Sequence, residues 1–419
     1  MLLQFRIKNA KSFRNEAILD FTASGISEHT EHVFERNRNN ILPLIAVYGA
    51  NASGKTNLVS IFCDMCDFIR ASVELKDEGQ KYFFLFSSFI YDMETFRQPI
   101  EFEVTVSTDY DYRYGFSVAD NASVLSEYLE FRKTPKGRFL PIFKREVGEP
   151  LKIGKSTLIG PDERKELNFV AGFIRDKELL LTMLGRRQQA VKQGSLSRYA
   201  RLYEWFSSVE ECPECTNRKL NSLVAREGTP LFEVFQNEAE INDFIKFVQR
   251  ADPTIISISL DNKEEELGQN KEEQRRLLSH RRVLNCEDTE ATLPTILESS
   301  GTKYIMSAYP IIRKTLLHGG LLVADEIDRS LHPSLLLDII NLFTNPETNP
   351  KHAQLICTMH NVILMDRRFL RRDEIWFVEK SKEGESVLYS LADYSDVRND
   401  ADFCKNYILG KYGAVPEKL

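Results

Sequence analysis

The eight residues Gly49-Ala50-Asn51-Ala52-Ser53-Gly54-Lys55-Thr56 satisfy G-x-x-x-x-G-K-[ST] at every position, and they lie between an apolar run, ILPLIAVY, and a helix-forming one, NLVSIFCDMCDFI. Few chain paths accommodate that order. A strand, a loop of small residues and a helix start bring successive backbone N–H groups onto phosphate oxygens, with the helix dipole favouring the anion. In this arrangement a lysine at position 55 bridges β- and γ-phosphates, and the hydroxyl of Thr56 ligates Mg²⁺. The candidate nucleotide contacts are therefore Gly49, Asn51, Ser53, Gly54, Lys55, Thr56 and Asn57, with ATP and Mg²⁺ as the expected ligands. The strand before the loop does not alternate polar and apolar residues, which predicts that both its faces are covered, as in a parallel sheet.

Three later segments fit the same chemistry. Leu321-Leu322-Val323-Ala324-Asp325-Glu326 is an apolar strand ending in two acids. Alone it reads equally well as a strand followed by a solvated acidic turn. Paired with a phosphate loop, Asp325 suits a magnesium partner, and Glu326 suits a group that orients or deprotonates the attacking water. Thr358-Met359-His360 ends the next apolar strand, AQLICTMH, so His360 is expected near the γ-phosphate. Glu298-Ser299-Ser300-Gly301-Thr302 precedes a helix and offers hydroxyl and N–H donors at its start; this is a plain helix cap and also a possible second anion site.

The rest of the chain supplies an α/β setting. Residues 1–24 and about 100–145 alternate as antiparallel strands do. From about 160 to 290 apolar residues recur at helical spacing, and after 290 strand and helix alternate again, as in a parallel sheet with helices packed on it. The expected organisation is an N-terminal lobe at 1–150, a mainly helical insertion at 151–290 and a C-terminal lobe at 291–419. At 42% hydrophobic and 28% charged, the composition is that of an ordinary globular protein. No apolar run approaches the roughly 18 residues that span a bilayer, and the N-terminal apolar stretch is too short for a signal peptide. A cytoplasmic address without a membrane partner is expected, and seven cysteines without framework spacing fit a reducing compartment. The net charge of −7 means that any nucleic-acid contact needs a local basic stripe.

Taken in order, GANASGKT, ESSGT, VADEID, SLHP and TMH resemble the ABC-type ATPases of the SMC, RecF and OLD class. The resemblance covers both lobes and implies a P-loop ABC-ATPase head, a mixed sheet with an antiparallel β flank interrupted by a helical insertion. It makes Gly49 to Thr56 the Walker A loop, Asp325 the Walker B ligand, Glu326 the catalytic base, Asp328 the D-loop acid and His360 the switch histidine. Ser299, Ser300 and Gly301 become a variant signature, ESSGT standing for LSGGQ. Gln98 is the candidate Q-loop residue, and Lys11, in KSFR, is similar to the strand end that flanks the nucleotide. Heads of this class sandwich two ATP molecules, which implies a homodimer or higher oligomer. GANASGKTNL, LESSGTK, ADEIDRSLHP and YILGKYGAVP further resemble ATPases of abortive-infection systems of the AbiL, PARIS and Septu type. That implies a sensor or regulatory subunit working with a separately encoded effector, often a nuclease. A RecF-like DNA repair clamp and a non-hydrolysing scaffold are the competing readings.

Other features are read more plainly. Cys63 and Cys66 are expected to be buried on the helix after the loop, and Cys212 with Cys215 is a candidate zinc pair. The basic clusters Arg186, Arg187, Lys192, Arg198, Arg201 and Arg275, Arg276, Arg281, Arg282 are candidate nucleic-acid or acidic-partner contacts; Arg367, Arg368, Arg371 and Arg372 form a third cluster. The charged stretch at 261–282 reads as a solvated loop or hairpin. About 60 residues follow His360, too few for an appended nuclease domain of the OLD kind, so nuclease activity is assigned to a partner chain.

Overall fold

The computed structural model describes residues 1–74, 86–190, 197–212, 223–261, 275–285, 289–394 and 401–416. The chain opens with β1 (Leu2–Lys8) and β2 (Ala17–Asp20), passes through the small hairpin of β3 (Phe34–Arg36) and β4 (Asn39–Ile41), and runs along β5 (Leu44–Tyr48) into the glycine loop and α1 (Lys55–Ala71). Four long strands follow, β6 (Ile100–Ser107), β7 (Asp111–Val118), β8 (Val124–Arg132) and β9 (Leu140–Glu146), then the short β10 (Lys152–Ile153). Next come α2 (Pro161–Ala171), α3 (Leu180–Ala190), α4 (Arg198–Ser207), β11 (Val209–Glu211), β12 (Val224–Ala225), α5 (Pro230–Val234) and α6 (Glu238–Gln249). β13 (Ser257–Leu260), β14 (Arg275–Arg282) and β15 (Glu290–Pro294) precede α7 (Ser300–His318) and β16 (Leu321–Ala324). The chain then forms α8 (Pro333–Thr344), β17 (Gln354–Thr358), β18 (Ile375–Lys380), β19 (Ser386–Ser390) and α9 (Phe403–Ile408).

Two sheets carry the molecule. One is antiparallel, in the order β10-β9-β8-β7-β6-β1-β2; the other, in the order β11-β16-β17-β5-β18-β19, is parallel except for its edge strand β19. All five residues of β5 are buried, and they divide between two cores. Ile45 and Val47 face the core shared with α1 and the antiparallel sheet, whereas Leu44, Ala46 and Tyr48 join the core formed with α7 and α8. The absence of alternation in this strand follows from being covered on both sides.

α1 fills the space between the sheets. It buries Leu58, Ile61, Phe62, Met65, Phe68 and Ile69, with Phe62 set edge-on to Phe5 of β1 at 4.9 Å; truncating such an aromatic in a closed core costs about 3–5 kcal/mol. Cys63 and Cys66 are buried on the same helix, and burial pushes both thiols up. The sheets are also joined by one buried amide. Gln354 of β17 accepts from the Leu2 amide at 2.6 Å and donates to the carbonyls of Leu2 and Leu42 at 2.9 and 3.2 Å.

The segment 151–290 holds α2 to α6 and also a small sheet in which β14 lies between β12 and β13 and pairs with β15. The helical spacing expected from about 160 onward is divided here, because the chain turns at Gly172 and restarts as α3 at Leu180. Part of the charged stretch, 262–274, lies outside the described residues; of the two expected forms, loop or hairpin, Arg275–Arg282 takes the second, a strand paired antiparallel with β13, with Leu277 and Ser279 buried. No helix among the described residues is long and apolar enough to cross a membrane.

Candidate functional site

The glycine loop is held open by close backbone approaches. A Cβ at Gly49 would lie 2.3 Å from the Val378 carbonyl of β18, and one at Gly54 would lie 2.4 Å from the Ser386 hydroxyl of β19; Gly54 also has φ +115°. Ser386 secures this contact by donating to the Ser53 carbonyl at 2.6 Å, while its amide donates to Ser12 at 2.7 Å. The Ser12 hydroxyl accepts from the Asn57 side chain at 2.8 Å. The loop is thus framed by β18, β19 and the end of β1, not by neighbouring sequence.

Gly54 starts α1 without a side-chain cap, and the first helical bond runs from Leu58 to Gly54. Among the described residues no acceptor meets the amides of Lys55, Thr56 or Asn57. These are the unpaired donors every helix start presents. Lys55 is 6% exposed, and its ammonium donates to the carbonyls of Gly49 at 2.7 Å and Ala50 at 3.1 Å. Burial holds its pKa below the ordinary lysine value, partly opposed by Asp325, then Glu326 and Asp328. The Ser53 hydroxyl is buried in this loop without a hydrogen-bond partner.

The acidic strand end arrives from β16, two strands away. Thr358, at the end of β17 between β16 and β5, links the parts: its hydroxyl donates to Asp325 Oδ1 at 2.6 Å and accepts the Glu326 amide at 2.7 Å. This bond supports an unusual backbone, because Glu326 has φ +48°, a conformation that costs a side-chain-bearing residue about 1–3 kcal/mol and concentrates at ligand sites. The Glu326 carboxylate lies 3.4 Å from His360 Nε2 and 3.5 Å from Arg329. Asp328 accepts the amides of His360, at 2.7 Å, and Asn361, fixing the turn that carries the histidine. Residues 51–57 together with Glu326, His360 and Lys380 line a cavity of about 620 Å³.

Ser299, Ser300 and Gly301 stand outside that cavity's lining. Ser299 caps α7, accepting the Thr302 amide at 3.2 Å, and both serines are exposed. Gly301 lies beneath the turn after β16, where a Cβ would meet the Ser330 carbonyl at 2.6 Å. Glu298 is 8% exposed and pairs with Arg281 of β14, whose guanidinium also reaches Asp252; Ser279 donates to the same carboxylate. Burial alone would raise the Glu298 pKa, but Arg281 and Ser279 outweigh it and hold the carboxyl below its ordinary range.

Lys11 and Gln98 also lie outside the cavity lining. The Lys11 ammonium is engaged 2.8 Å from Asp64 and Ser60 on the flank of α1, and Gln98 is an exposed residue whose backbone carbonyl accepts from Asn9. Several members of the basic clusters are paired within the chain: Arg186 with Glu74, Arg187 with Glu166, Arg198 with Glu163, Arg201 with Asp109, and Arg371 with Asp373. Lys192 and Cys215 fall outside the described residues, and the Cys212 thiol sits 3.4 Å from the Tyr304 hydroxyl. Two features, one behind the cavity wall and one in its lining, escaped the sequence reading. Thr358 stood within the recognised TMH triplet without a partner, and Lys380 ends a strand with no motif to mark it.

Fold and site together define a P-loop AAA-type ATPase domain, an ATP-binding class. Residues 44–366 match the family model described as "AAA domain, putative AbiEii toxin, Type IV TA system", and the chain belongs to that family. Among solved structures it is similar to the SMC head domain from Thermotoga maritima, at 13% identity over 93% of this chain and 98% of that one, with a TM-score of 0.39. No curated protein matches the chain.

Proposed function

We propose that this chain binds Mg-ATP on the loop at 49–56 and hydrolyses it as an ABC-type head of the SMC, RecF and OLD class, dividing into lobes at 1–150 and 291–419 around an insertion at 151–290. The observation that carries the reading is the shared cavity of about 620 Å³, in which Lys55, Glu326 and His360 meet beside an uncapped helix start. The chain's residues fit the ligand. Lys55 and the amides of residues 55–57 suit phosphate oxygens, and the partnerless Ser53 hydroxyl is a buried polar atom in need of a partner. Thr56 and Asp325 would hold magnesium, which when bound neutralises charge on the β- and γ-phosphates. Glu326 would orient and deprotonate the attacking water, with His360 beside it and Asp328 keeping His360 in register.

Ser299 and Ser300 are exposed and outside the chain's own cavity, which supports their docking on the nucleotide of a second copy. The family description, a putative toxin of a Type IV TA system, supports a role in a toxin or anti-phage system; the motif resemblance adds the reading of this chain as sensor or regulatory subunit of a cytoplasmic complex with a separate effector, of nuclease type, as partner. The test is steady-state ATP turnover measured together with light scattering, with and without Mg-ATP. Magnesium-dependent turnover and ATP-dependent dimerisation are expected. Absence of turnover from a folded, ATP-bound chain would leave a scaffold, and strong stimulation by DNA would favour a repair clamp instead.

A further inference from the structure

A second cluster of ligand atoms lies away from the nucleotide cavity, in the segment Glu28-His29-Thr30-Glu31-His32 between β2 and β3. One donor atom from each of His29, Glu31 and His32 lies within 4.8 Å of the others, and the two imidazole rings stack at 4.7 Å with an interplanar angle of 19°. His29 adopts φ +46°, a strained backbone for a residue with a side chain, and Arg371 holds that backbone in place by donating to the carbonyls of Glu28 and His29.

The hydrogen bonds around the two rings determine which nitrogens are left to face a ligand. His29 Nε2 lies 2.8 Å from the Arg367 carbonyl, which only accepts, so Nε2 carries the hydrogen. In the neutral ring Nδ1 then presents a lone pair to Glu31 Oε1, 2.8 Å away. Either a proton on Nδ1 or a metal ion in its place closes that contact. His32, 7% exposed, directs Nδ1 to the buried Glu374 carboxylate at 2.9 and 3.2 Å, and its Nε2 is bonded to no described residue. A carbonyl behind one imidazole and a carboxylate behind the other are the outer partners that orient metal-binding histidines and fix their tautomers.

We propose that His29 through Nδ1, Glu31 through its carboxylate and His32 through Nε2 form a site for one divalent ion of zinc type, with Arg367 and Glu374 as the outer shell. Two imidazoles and one carboxylate suit Zn²⁺ and its neighbours more than Mg²⁺ or Ca²⁺. Tetrahedral bonds of about 2.0–2.2 Å put donor atoms roughly 3.3–3.5 Å apart, so the wider separations close by about 1.5 Å at most while His29 Nδ1 and Glu31 Oε1, now 2.8 Å apart, open by about 0.5 Å. The fourth position faces solvent, because Glu31 is exposed. Arg371 does not oppose the ion, since Asp373 neutralises its guanidinium at 2.8 Å. The bound ion would rigidify the segment before β3, which His32–Glu374 and Arg371–Glu28 hydrogen bonds already tie to the entry of β18.

The full-length chain, stripped by chelator dialysis, is titrated with Zn²⁺ by calorimetry and with Co²⁺ by visible absorption. One ion per chain, tetrahedral-type Co²⁺ bands and a raised unfolding midpoint are expected. His29→Gln and Glu31→Gln, at partly exposed positions that leave the fold intact, should each weaken binding at least 10-fold and remove the rise in midpoint. Cys212→Ser should change neither. Failure of the wild-type chain to bind Zn²⁺ overturns the proposal and leaves an imidazolium–carboxylate pair. Binding that survives both substitutions, or that is lost in Cys212→Ser, overturns it equally. ATP turnover plays no part in these readings, so they stand apart from the proposed hydrolysis.

Discussion

α1 and α7 both begin within glycine- and serine-bearing motifs, yet their first turns are finished in opposite ways. α1 starts at Gly54, which has no side chain to offer, and the amides of Lys55, Thr56 and Asn57 meet no acceptor among the described residues. α7 starts at Ser299, whose hydroxyl takes the Thr302 amide, and Glu298 just before it is pinned to Arg281. One helix start is therefore poised for an outside anion, with a cavity and a lysine already assembled around it. The other is self-satisfied, anchored to β14, and presents Ser300 to solvent. The difference teaches that the two motifs cannot serve one nucleotide within a single chain in the same manner; the first is a pocket and the second a surface.

The largest expected effect tests the pocket. Glu326→Gln should lower ATP turnover by about 10²–10⁴, the range for removing a general base, while nucleotide affinity measured by calorimetry is kept and dimer accumulates in light scattering. Turnover at the wild-type rate would remove Glu326 from the chemistry. Lys55→Ala comes next, with ATP affinity falling about 10–100-fold, the equivalent of about 1.5–3 kcal/mol for a hydrogen bond to a charged group. Unchanged affinity would contradict a phosphate role for Lys55.

Smaller effects test the surface. Ser299→Ala should destabilise the chain by about 1 kcal/mol in denaturant unfolding through loss of the α7 cap, whereas Ser300→Ala should leave stability intact and lower only turnover in the dimer. If Ser300→Ala turns over normally, the surface is a plain cap and the contrast between the helices has no functional content. The smallest effect concerns the anchor. Because the Glu298 carboxyl is held below its ordinary value of 4.5, the native state binds fewer protons there than the unfolded chain. The stability from this group is present above pH about 4.5 and is lost as pH falls through the lowered folded value. Glu298→Gln should flatten the acid limb of a stability–pH curve in that window, and an unchanged limb would mean that Arg281 does not hold α7.

Much of the architecture was legible because its signals are local. The alternation in residues 1–24 became β1 and β2 paired with Ile7 opposite Ala17, and the unbroken apolar run at 44–48 became a strand covered on both faces. Motif order placed Lys55, Glu326 and His360 in one reading, and one cavity receives all three. Charge patterning misled at Arg281, where each charge in a mixed run looks solvated; its partners Glu298 and Asp252 lie 17 and 29 residues away and meet it only when β14 sits in its sheet. The resemblance of KSFR makes Lys11 a nucleotide contact; in the fold its ammonium pairs with Asp64 of α1, a partner that no local pattern announces.

The amino-acid order by itself determined local elements: the small-residue loop before α1, the acid-ended strand and the helix that Ser299 caps. The tertiary structure alone decided which of these meet. Thr358 joins Asp325 to Glu326 across 33 and 32 residues, Ser386 braces Ser53 across 333, and His32 finds Glu374 across 342. Such pairings depend on strand order and on the packing of two sheets against α1, and no short-range pattern encodes them.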